Sequence, residues 1–225
     1  MPIDQQDGHC FVRDCGLRRA ACFSNLALRV SQLSTKFIEA MQPQRSGNFI
    51  SVEDYLYGEQ DGQVRHEYVD GEVYAMGGAS DRHALIAGDL FTFLNTRLSD
   101  PCQAFISDMK VHIRVDEKDV FYYPDILVSC DAEDRETYYR ERPCLIIEVL
   151  SPSTARLDRF EKLMFYRHLE TLEEYVLVSQ DFRLVEVFRR SDDWQATLYR
   201  KHDLVIFQSV GIEVTMDQIY RRTDR

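Results

Sequence analysis

The sequence predicts a protein of the α/β or α+β class, with a mixed β-sheet core flanked by helices. Two short runs of Val, Ile and Leu, at residues 126–128 and 144–150, indicate strands, and the second is apolar enough to be covered on both faces. Residues 81–98 carry apolar side chains at helical spacing. The full order is helix, hairpin, helix, a run of strands, helix and further strands, which favours one mixed sheet with flanking helices.

Composition and charge limit the class of protein. Of the 225 residues 44% are hydrophobic and 12% aromatic, enough for one domain with a substantial core. No apolar run approaches the roughly 18 residues that span a membrane. The formal net charge of −11 argues against broad nonspecific adhesion to nucleic acid or anionic membranes. This net charge is compatible with an enzyme that contacts DNA through a local basic patch. Such a patch can form from Arg156, Arg159, Lys162 and Arg167.

The six cysteines form no Cys-x-x-Cys pair, and no histidines stand at zinc-finger spacing. Two of them, Cys130 and Cys144, lie in or beside apolar runs, where a free cysteine behaves as a small hydrophobe. The sequence therefore predicts a reduced, cytoplasmic protein rather than a disulfide scaffold.

Residues 1–48 differ from the rest of the chain and are predicted to be an N-terminal extension, either disordered or in part helical. Apolar residues recur at helical spacing within residues 25–40. The domain proper is predicted to occupy residues 49–225. Ser51 is the expected N-cap of its first helix, which ends near Tyr57.

Turn and helix signals divide the remainder of the chain. Asp70-Gly71 predicts a two-residue hairpin turn within residues 67–76. Ser80 or Asp81 is expected to cap the long helix. Pro124, inside a strand predicted at residues 120–129, indicates an edge or a bulge. The other predicted elements are strands at 104–107, 110–115, 174–179, 183–190, 194–200 and 205–207, and helices at 155–169 and 216–220.

Two carboxylates stand in or beside the apolar strand runs. Asp125 directly precedes Ile-Leu-Val, and Glu148 lies within Leu-Ile-Ile-Glu-Val-Leu. Burying an acidic side chain costs free energy unless it binds a metal or pairs with a cation. Two such residues on neighbouring strands suggest a divalent-metal site. The structural alternatives are an Asp125 that caps a turn and a Glu148 that pairs with a buried arginine or lysine.

Other residues are weaker candidates when taken singly. Lys162 follows the Glu148 strand by one short loop and can reach back over the strand end, although Asp158 also offers it an i,i+4 surface pair. Glu67 opens the hairpin and by itself resembles an ordinary surface glutamate. Three further residues carry less weight: His83, Tyr166 and Gln180.

Four segments taken together resemble the Uma-two family of restriction-endonuclease-like proteins, within the PD-(D/E)XK nuclease superfamily. They are His-Glu-Tyr-Val-Asp-Gly-Glu at 66–72, Tyr-Tyr-Pro-Asp at 122–125, Ile-Glu-Val-Leu-Ser-Pro-Ser-Thr at 147–154 and Tyr-Val-Leu-Val at 175–178. The resemblance covers about residues 51–220. It implies Asp125 and Glu148 as ligands of Mg²⁺, with Mn²⁺ as a substitute, and Glu67 as a supporting ligand.

The superfamily usually places a lysine two residues after the glutamate, where this chain has Leu150. Lys162 is the natural substitute. The resemblance thus implies a metal-dependent endonuclease that hydrolyses phosphodiester bonds, with DNA favoured over RNA and a homodimer allowed. Two alternatives stay open: a nuclease-fold binding or assembly protein with weak catalysis, and a metal-dependent hydrolase of small phosphoesters.

Overall fold

The computed structural model describes residues 49–151 and 157–223. All of them belong to the unit Phe49–Arg225. The helix predicted at residues 25–40, with the rest of the extension, lies outside the described residues, and so do residues 152–156.

The order of helices and strands in the described residues is close to the order that the sequence predicts. The helices are α1 (Val52–Asp61), α2 (Asp81–Asn95), a π-helix (Leu157–Lys162) continuing into α3 (Leu163–Tyr166), and α4 (Met216–Ile219). The strands are β1 (His66–Val69), β2 (Glu72–Ala75), β3 (Gln103–Ile106), β4 (Lys110–Val115), β5 (Lys118–Tyr122), β6 (Ile126–Ser129), β7 (Tyr139–Arg140), β8 (Pro143–Leu150), β9 (Glu174–Ser179), β10 (Leu184–Arg189), β11 (Ala196–Arg200), β12 (Leu204–Phe207) and β13 (Ile212–Thr215). No helix in these ranges has both the length and the apolar character needed to cross a bilayer.

The described strands form three sheets rather than the single sheet predicted. Five strands run in the order β2-β1-β5-β4-β7, six in the order β11-β10-β9-β8-β6-β3, and β12 pairs with β13. The pairs β4–β7 and β8–β9 are parallel and the other recorded pairs are antiparallel, so both large sheets are mixed. The predicted mixed class with flanking helices is confirmed, and the predicted number of sheets is wrong.

Pro124 marks the point where the chain passes from one large sheet to the other. The sequence predicted one strand over residues 120–129, but β5 ends at Tyr122 and β6 begins at Ile126. Proline has no N–H to donate to a strand ladder, which favours a break there. Asp125 consequently lies at the crossing, immediately before β6.

Side chains of β8 alternate between two hydrophobic cores. Ile147 and Val149 belong to the core that includes α2 and the C-terminal strands. Ile146 and Leu150 belong to the core shared by the two large sheets. Because strand side chains alternate, Glu148 points to the same side as Ile146 and Leu150. The candidate carboxylate therefore faces the region between the two large sheets.

The hairpin between β1 and β2 has the turn that the sequence predicts. Asp70 and Gly71 have φ of 47° and 94°. A Cβ on Gly71 would lie 2.2 Å from the ring of Phe49, so both the backbone conformation and the space require glycine. The turn fixes the β1–β2 register, in which Glu67 lies opposite Tyr74.

The cysteines correct the prediction of a reduced protein. Cys102 and Cys130 form a disulfide, while Cys144 is free and buried. The register of β3 and β6 places Gln103 opposite Ser129. One step further along this register, Cys102 and Cys130 face each other. Their proximity therefore results from strand pairing and not from their spacing in the sequence.

Candidate active site

Asp125 and Glu148 lie opposite each other at the end of the β6–β8 pair. In this antiparallel pair Ile126 faces Ile147, and one further step in the same register aligns Asp125 with Glu148. Opposed residues in antiparallel strands project to the same face. The backbone N–H of Asp125 donates to Glu148 Oε2 at 3.3 Å. The two predicted site carboxylates are thus neighbours on one face of the six-stranded sheet.

The Asp125 carboxylate is held by two donors on one oxygen. The backbone N–H of Val149 donates to Asp125 Oδ2 at 2.7 Å. His83 Nε2 lies 3.0 Å from the same oxygen. The side chain of Asp125 is 18% exposed, whereas that of Glu148 is 5% exposed. Asp125 therefore lies at the solvent side of the pair and Glu148 lies deep.

Lys162 lies at the centre of a buried cluster of carboxylates. Its Nζ is 2.9 Å from Glu67 Oε1, 3.1 Å from Glu148 Oε1 and 3.4 Å from Asp158 Oδ1. The predicted i,i+4 contact with Asp158 exists, but it is buried rather than at the surface. The ammonium also lies 5.3 Å from the ring centroid of Tyr122, within the range of a cation–π contact.

The helix after β8 delivers three of these polar groups at intervals of four residues. Asp158 and Lys162 lie on its π-helical part, and Tyr166 ends α3. The Tyr166 hydroxyl donates to Glu148 Oε1 at 3.0 Å. The Tyr175 hydroxyl donates to the backbone carbonyl of Asp158 at 3.0 Å, which ties the helix to β9. The sequence predicted an ordinary helix here and ranked Tyr166 low.

Glu67 reaches the site from the other large sheet. Its Oε1 is buried and receives no hydrogen bond, because the close Lys162 contact has the distance of an ion pair but not the angles of a hydrogen bond. A buried carboxylate oxygen without a donor costs free energy unless a cation compensates it. The Lys162 ammonium at 2.9 Å compensates the charge of this oxygen, which still receives no hydrogen bond.

The N-terminus of α2 brings in the residues that the sequence ranked low. Ser80 caps the helix by accepting the His83 backbone N–H at 3.1 Å. Its hydroxyl donates to Gln180 Oε1 at 2.5 Å. His83 and Gln180 therefore both belong to the site region. Helical capping at Ser80 was visible in the sequence, but its link to Gln180 depends on contacts between residues 100 positions apart.

Burial and crowding shift the titration of the central groups. Burial works to lower the pKa of Lys162, but Glu148, Glu67 and Asp158 outweigh it and hold that pKa well above its usual value. Burial raises the pKa of Glu148 well above its usual value, while Lys162 opposes the shift and Asp158 adds to it. Burial also acts to lower the pKa of His83, yet the Asp125 carboxylate leaves it raised.

The donor set suits a hard divalent cation that keeps part of its hydration shell. In the part of the chain that the structure describes, four carboxylates (Glu67, Asp125, Glu148 and Asp158) lie beside two cationic partners, Lys162 and His83. No three His, Cys, Asp or Glu side chains within the described ranges are arranged to hold an ion by themselves. Mg²⁺ commonly binds through one or two carboxylates, with water and substrate phosphates in the remaining positions. Asp125 and Glu148 fit that requirement.

The predicted basic patch is not an open surface in the described residues. Arg159 Nη2 pairs with Glu186 Oε1 at 2.5 Å, and Lys162 is buried among carboxylates. Arg167 is exposed, and Arg156 lies outside the described residues. Among the three members of the predicted patch that the structure describes, only Arg167 remains as an exposed residue outside an ion pair with a carboxylate.

The architecture places the protein among α+β folds that resemble a nuclease. The described fold is similar to the crystal structure of a putative nuclease belonging to DUF820 from Anabaena variabilis ATCC 29413, with a TM-score of 0.61 and 18% identity, over 76% of this chain and 98% of that one. The chain belongs to the Uma2 family, described as "Putative restriction endonuclease", whose profile matches residues 52–217. The family resemblance inferred from the sequence is confirmed, and the membership supports a nuclease.

Two relatives from Synechocystis sp. (strain ATCC 27184 / PCC 6803 / Kazusa) share much of the domain. The uncharacterized protein slr1290 is 38% identical over 176 residues, covering 76% of this chain and 92% of its own length. The uncharacterized protein sll1609 is 31% identical over 150 residues, covering 65% of this chain and 84% of its own length.

Proposed function

We propose that this protein is a metal-dependent endonuclease that hydrolyses phosphodiester bonds of DNA. The observation that carries the proposal is the cross-strand pairing of Asp125 with Glu148 beside the buried Lys162. Membership of a family described as a putative restriction endonuclease supports the same reaction class.

Asp125 and Glu148 would hold Mg²⁺, with Mn²⁺ as a substitute. When bound, the ion polarises a phosphoryl oxygen and lowers the pKa of a bound water. Asp125 Oδ2 already accepts two donors, so Oδ1 is the oxygen that remains for an ion. Both oxygens of Glu148 accept hydrogen bonds: Oε1 accepts from Lys162 and Tyr166, and among the described residues Oε2 accepts only the backbone N–H of Asp125, at 3.3 Å.

Lys162 would stabilise negative charge that develops on the phosphate. Its surrounding carboxylates keep its proton in place, so it enters the reaction as an ammonium. Glu67 holds this ammonium at 2.9 Å. The role of Glu67 as a supporting metal ligand stays a prediction, and the absence of a hydrogen bond to its Oε1 favours it.

The choice of DNA over RNA, the homodimer and the cytoplasmic location also stay predictions. The net charge of −11 leaves little electrostatic attraction for a polyanion. A divalent ion at the carboxylates supplies local positive charge at the scissile phosphate. We therefore expect binding of DNA to depend strongly on that ion.

A plasmid-nicking assay tests the proposal. Supercoiled plasmid is incubated with the full chain and Mg²⁺ or Mn²⁺, alongside Asp125→Asn, Glu148→Gln and the control Glu213→Gln, a strand carboxylate exposed to solvent. We expect nicking by the wild type and the control only. The absence of nicking by the wild type in both metals, with Mn²⁺ bound, would instead support a binding protein or a hydrolase of small phosphoesters. A parallel RNA substrate tests the preference for DNA.

A further inference from the structure

We propose that His83 is a positioning residue that fixes the carboxylate of Asp125 for metal binding, and that Ser80 and Gln180 hold His83 in place. The inference rests on the proposed function in one respect, namely that Asp125 is a metal ligand. It assigns a role to residues that neither the fold nor the family membership assigns.

The contact between His83 and Asp125 restricts the rotation of the carboxylate. His83 Nε2 and the backbone N–H of Val149 both approach Asp125 Oδ2, at 3.0 and 2.7 Å. A carboxylate accepts and does not donate, so Nε2 carries the proton in this contact. These two contacts on Oδ2 restrict the rotation of the carboxylate, and Oδ1 is the oxygen left for an ion.

A chain of hydrogen bonds fixes His83 to the sheet that carries Glu148. Ser80 accepts the His83 backbone N–H and donates to Gln180 Oε1. Gln180 is 6% exposed and directly follows β9, the parallel neighbour of β8. The first turn of α2 is therefore anchored at the same sheet end as Glu148. This anchor fixes the backbone position from which the imidazole of His83 reaches Asp125.

The contact geometry favours a positioning role. His83 directs Nε2 to the carboxylate of Asp125, at 3.0 Å from Oδ2. Its side chain is only 15% exposed. Groups that orient metal ligands in this way typically change metal affinity by about 10- to 100-fold when removed.

Mn²⁺ titration by calorimetry measures this effect without any cleavage step. The variants are His83→Ala, His83→Gln and Ser80→Ala in the full chain. The matched control is His202→Ala, which removes an exposed histidine on the turn before β12. We expect about 10- to 100-fold weaker binding for His83→Ala. His83→Gln should recover most of the affinity, because its amide can donate to Asp125 Oδ2. Ser80→Ala should weaken binding less than His83→Ala, and the control should not change.

His83→Ala that is folded and binds Mn²⁺ as tightly as the wild type, or more tightly, overturns the inference. A second readout needs no metal: long-range ¹H–¹⁵N spectra of the histidine rings. We expect a protonated Nε2 on His83 in the wild type and a changed signal in Asp125→Asn. An unchanged signal also overturns the inference. A wild type that binds no Mn²⁺ but shows the expected ring signals refutes the proposed function while the contact between His83 and Asp125 stands.

Discussion

Asp125 lies across from Glu148 in the β6–β8 pair, and its backbone N–H approaches Glu148 Oε2 at 3.3 Å. The Val149 N–H returns the contact by donating to Asp125 Oδ2 at 2.7 Å. Each residue of the pair is thus held partly by the backbone of the opposite strand. A shift of either strand would separate both carboxylates from their donors, so the site and the strand register depend on each other.

Glu148→Gln should abolish the stabilisation of the protein by Mn²⁺. A ligand that binds only the folded state stabilises it by about 2.7 kcal/mol at a concentration 100 times its Kd. Urea denaturation with and without Mn²⁺ measures the shift for the wild type, the variant and the exposed Glu213→Gln. An equal Mn²⁺ shift in Glu148→Gln would show that the ion binds elsewhere.

Lys162→Met should destabilise the metal-free protein by about 3–5 kcal/mol, because it leaves buried carboxylates without their cation. Lys118→Met is the matched control: that side chain is 34% exposed and its Nζ lies 3.8 Å from Asp70. Such a surface pair contributes about 0–1 kcal/mol. Urea denaturation of both variants gives the comparison. Similar losses of free energy of unfolding in the two would contradict the central position of Lys162.

Glu67→Gln distinguishes two possible roles of the Glu67 carboxylate, namely holding the Lys162 ammonium and binding the metal ion. Because Glu67 contacts Lys162 at 2.9 Å, we expect the variant to lower the cleavage rate while weakening Mn²⁺ binding less than Asp125→Asn does. Calorimetry and single-turnover cleavage supply the two quantities. A loss of Mn²⁺ affinity as large as that of Asp125→Asn would identify Glu67 as a full ligand.

Reduction should lower the stability of the oxidised protein by releasing the link between β3 and β6. Cys102 and Cys130 are 28 residues apart, and closing a loop of that length contributes about 3–4 kcal/mol on a chain-entropy argument. Urea denaturation of the wild type, with and without reductant, is compared with Cys102→Ser. The reduced wild type and the variant should agree. A wild type without reductant that matches Cys102→Ser would show that the link does not form in solution.

Asp89 on α2 should make stability depend on pH in the acid range. It is buried and pairs with Arg221 and Arg222 near the C-terminal end of the described chain. Burial acts to raise its pKa, but the two guanidinium groups leave that pKa lowered. A lowered carboxyl pKa contributes stability that is complete above the usual value of 3.8 and is lost as the pH falls through the lower folded-state value.

Asp89→Asn should therefore cost about 1–3 kcal/mol at pH 7, and the difference from the wild type should shrink at the acid end. The control is Asp217→Asn, whose 72% exposed side chain pairs with Arg183 at the surface. Thermal unfolding across pH 2.5–7 measures both variants. A constant difference between Asp89→Asn and the wild type across this range would rule out the ion pairs as its cause.

Local signals in the sequence predicted the elements that carry the site. The hairpin turn at Asp70-Gly71, the cap at Ser80 and the apolar run around Glu148 all follow from backbone conformation or side-chain transfer energies within a few residues. The same local reasoning predicted one continuous strand through Pro124 and a single sheet. The missing N–H of proline predicts an interruption of the strand. Whether the chain then passes to another sheet depends on which strands are available for pairing.

The residue types themselves were sufficient to predict a mixed fold and to select Asp125 and Glu148, because a carboxylate in an apolar strand is costly and needs a partner. Lys162 and Glu67 were selected through the family resemblance. Folding alone established that these four side chains converge, that Lys162 is shared among several carboxylates, and that His83 reaches Asp125. It also brought Cys102 to Cys130. The physical reason is that such contacts join distant segments, whose closeness is set by strand register and by the crossing between two sheets rather than by any local preference.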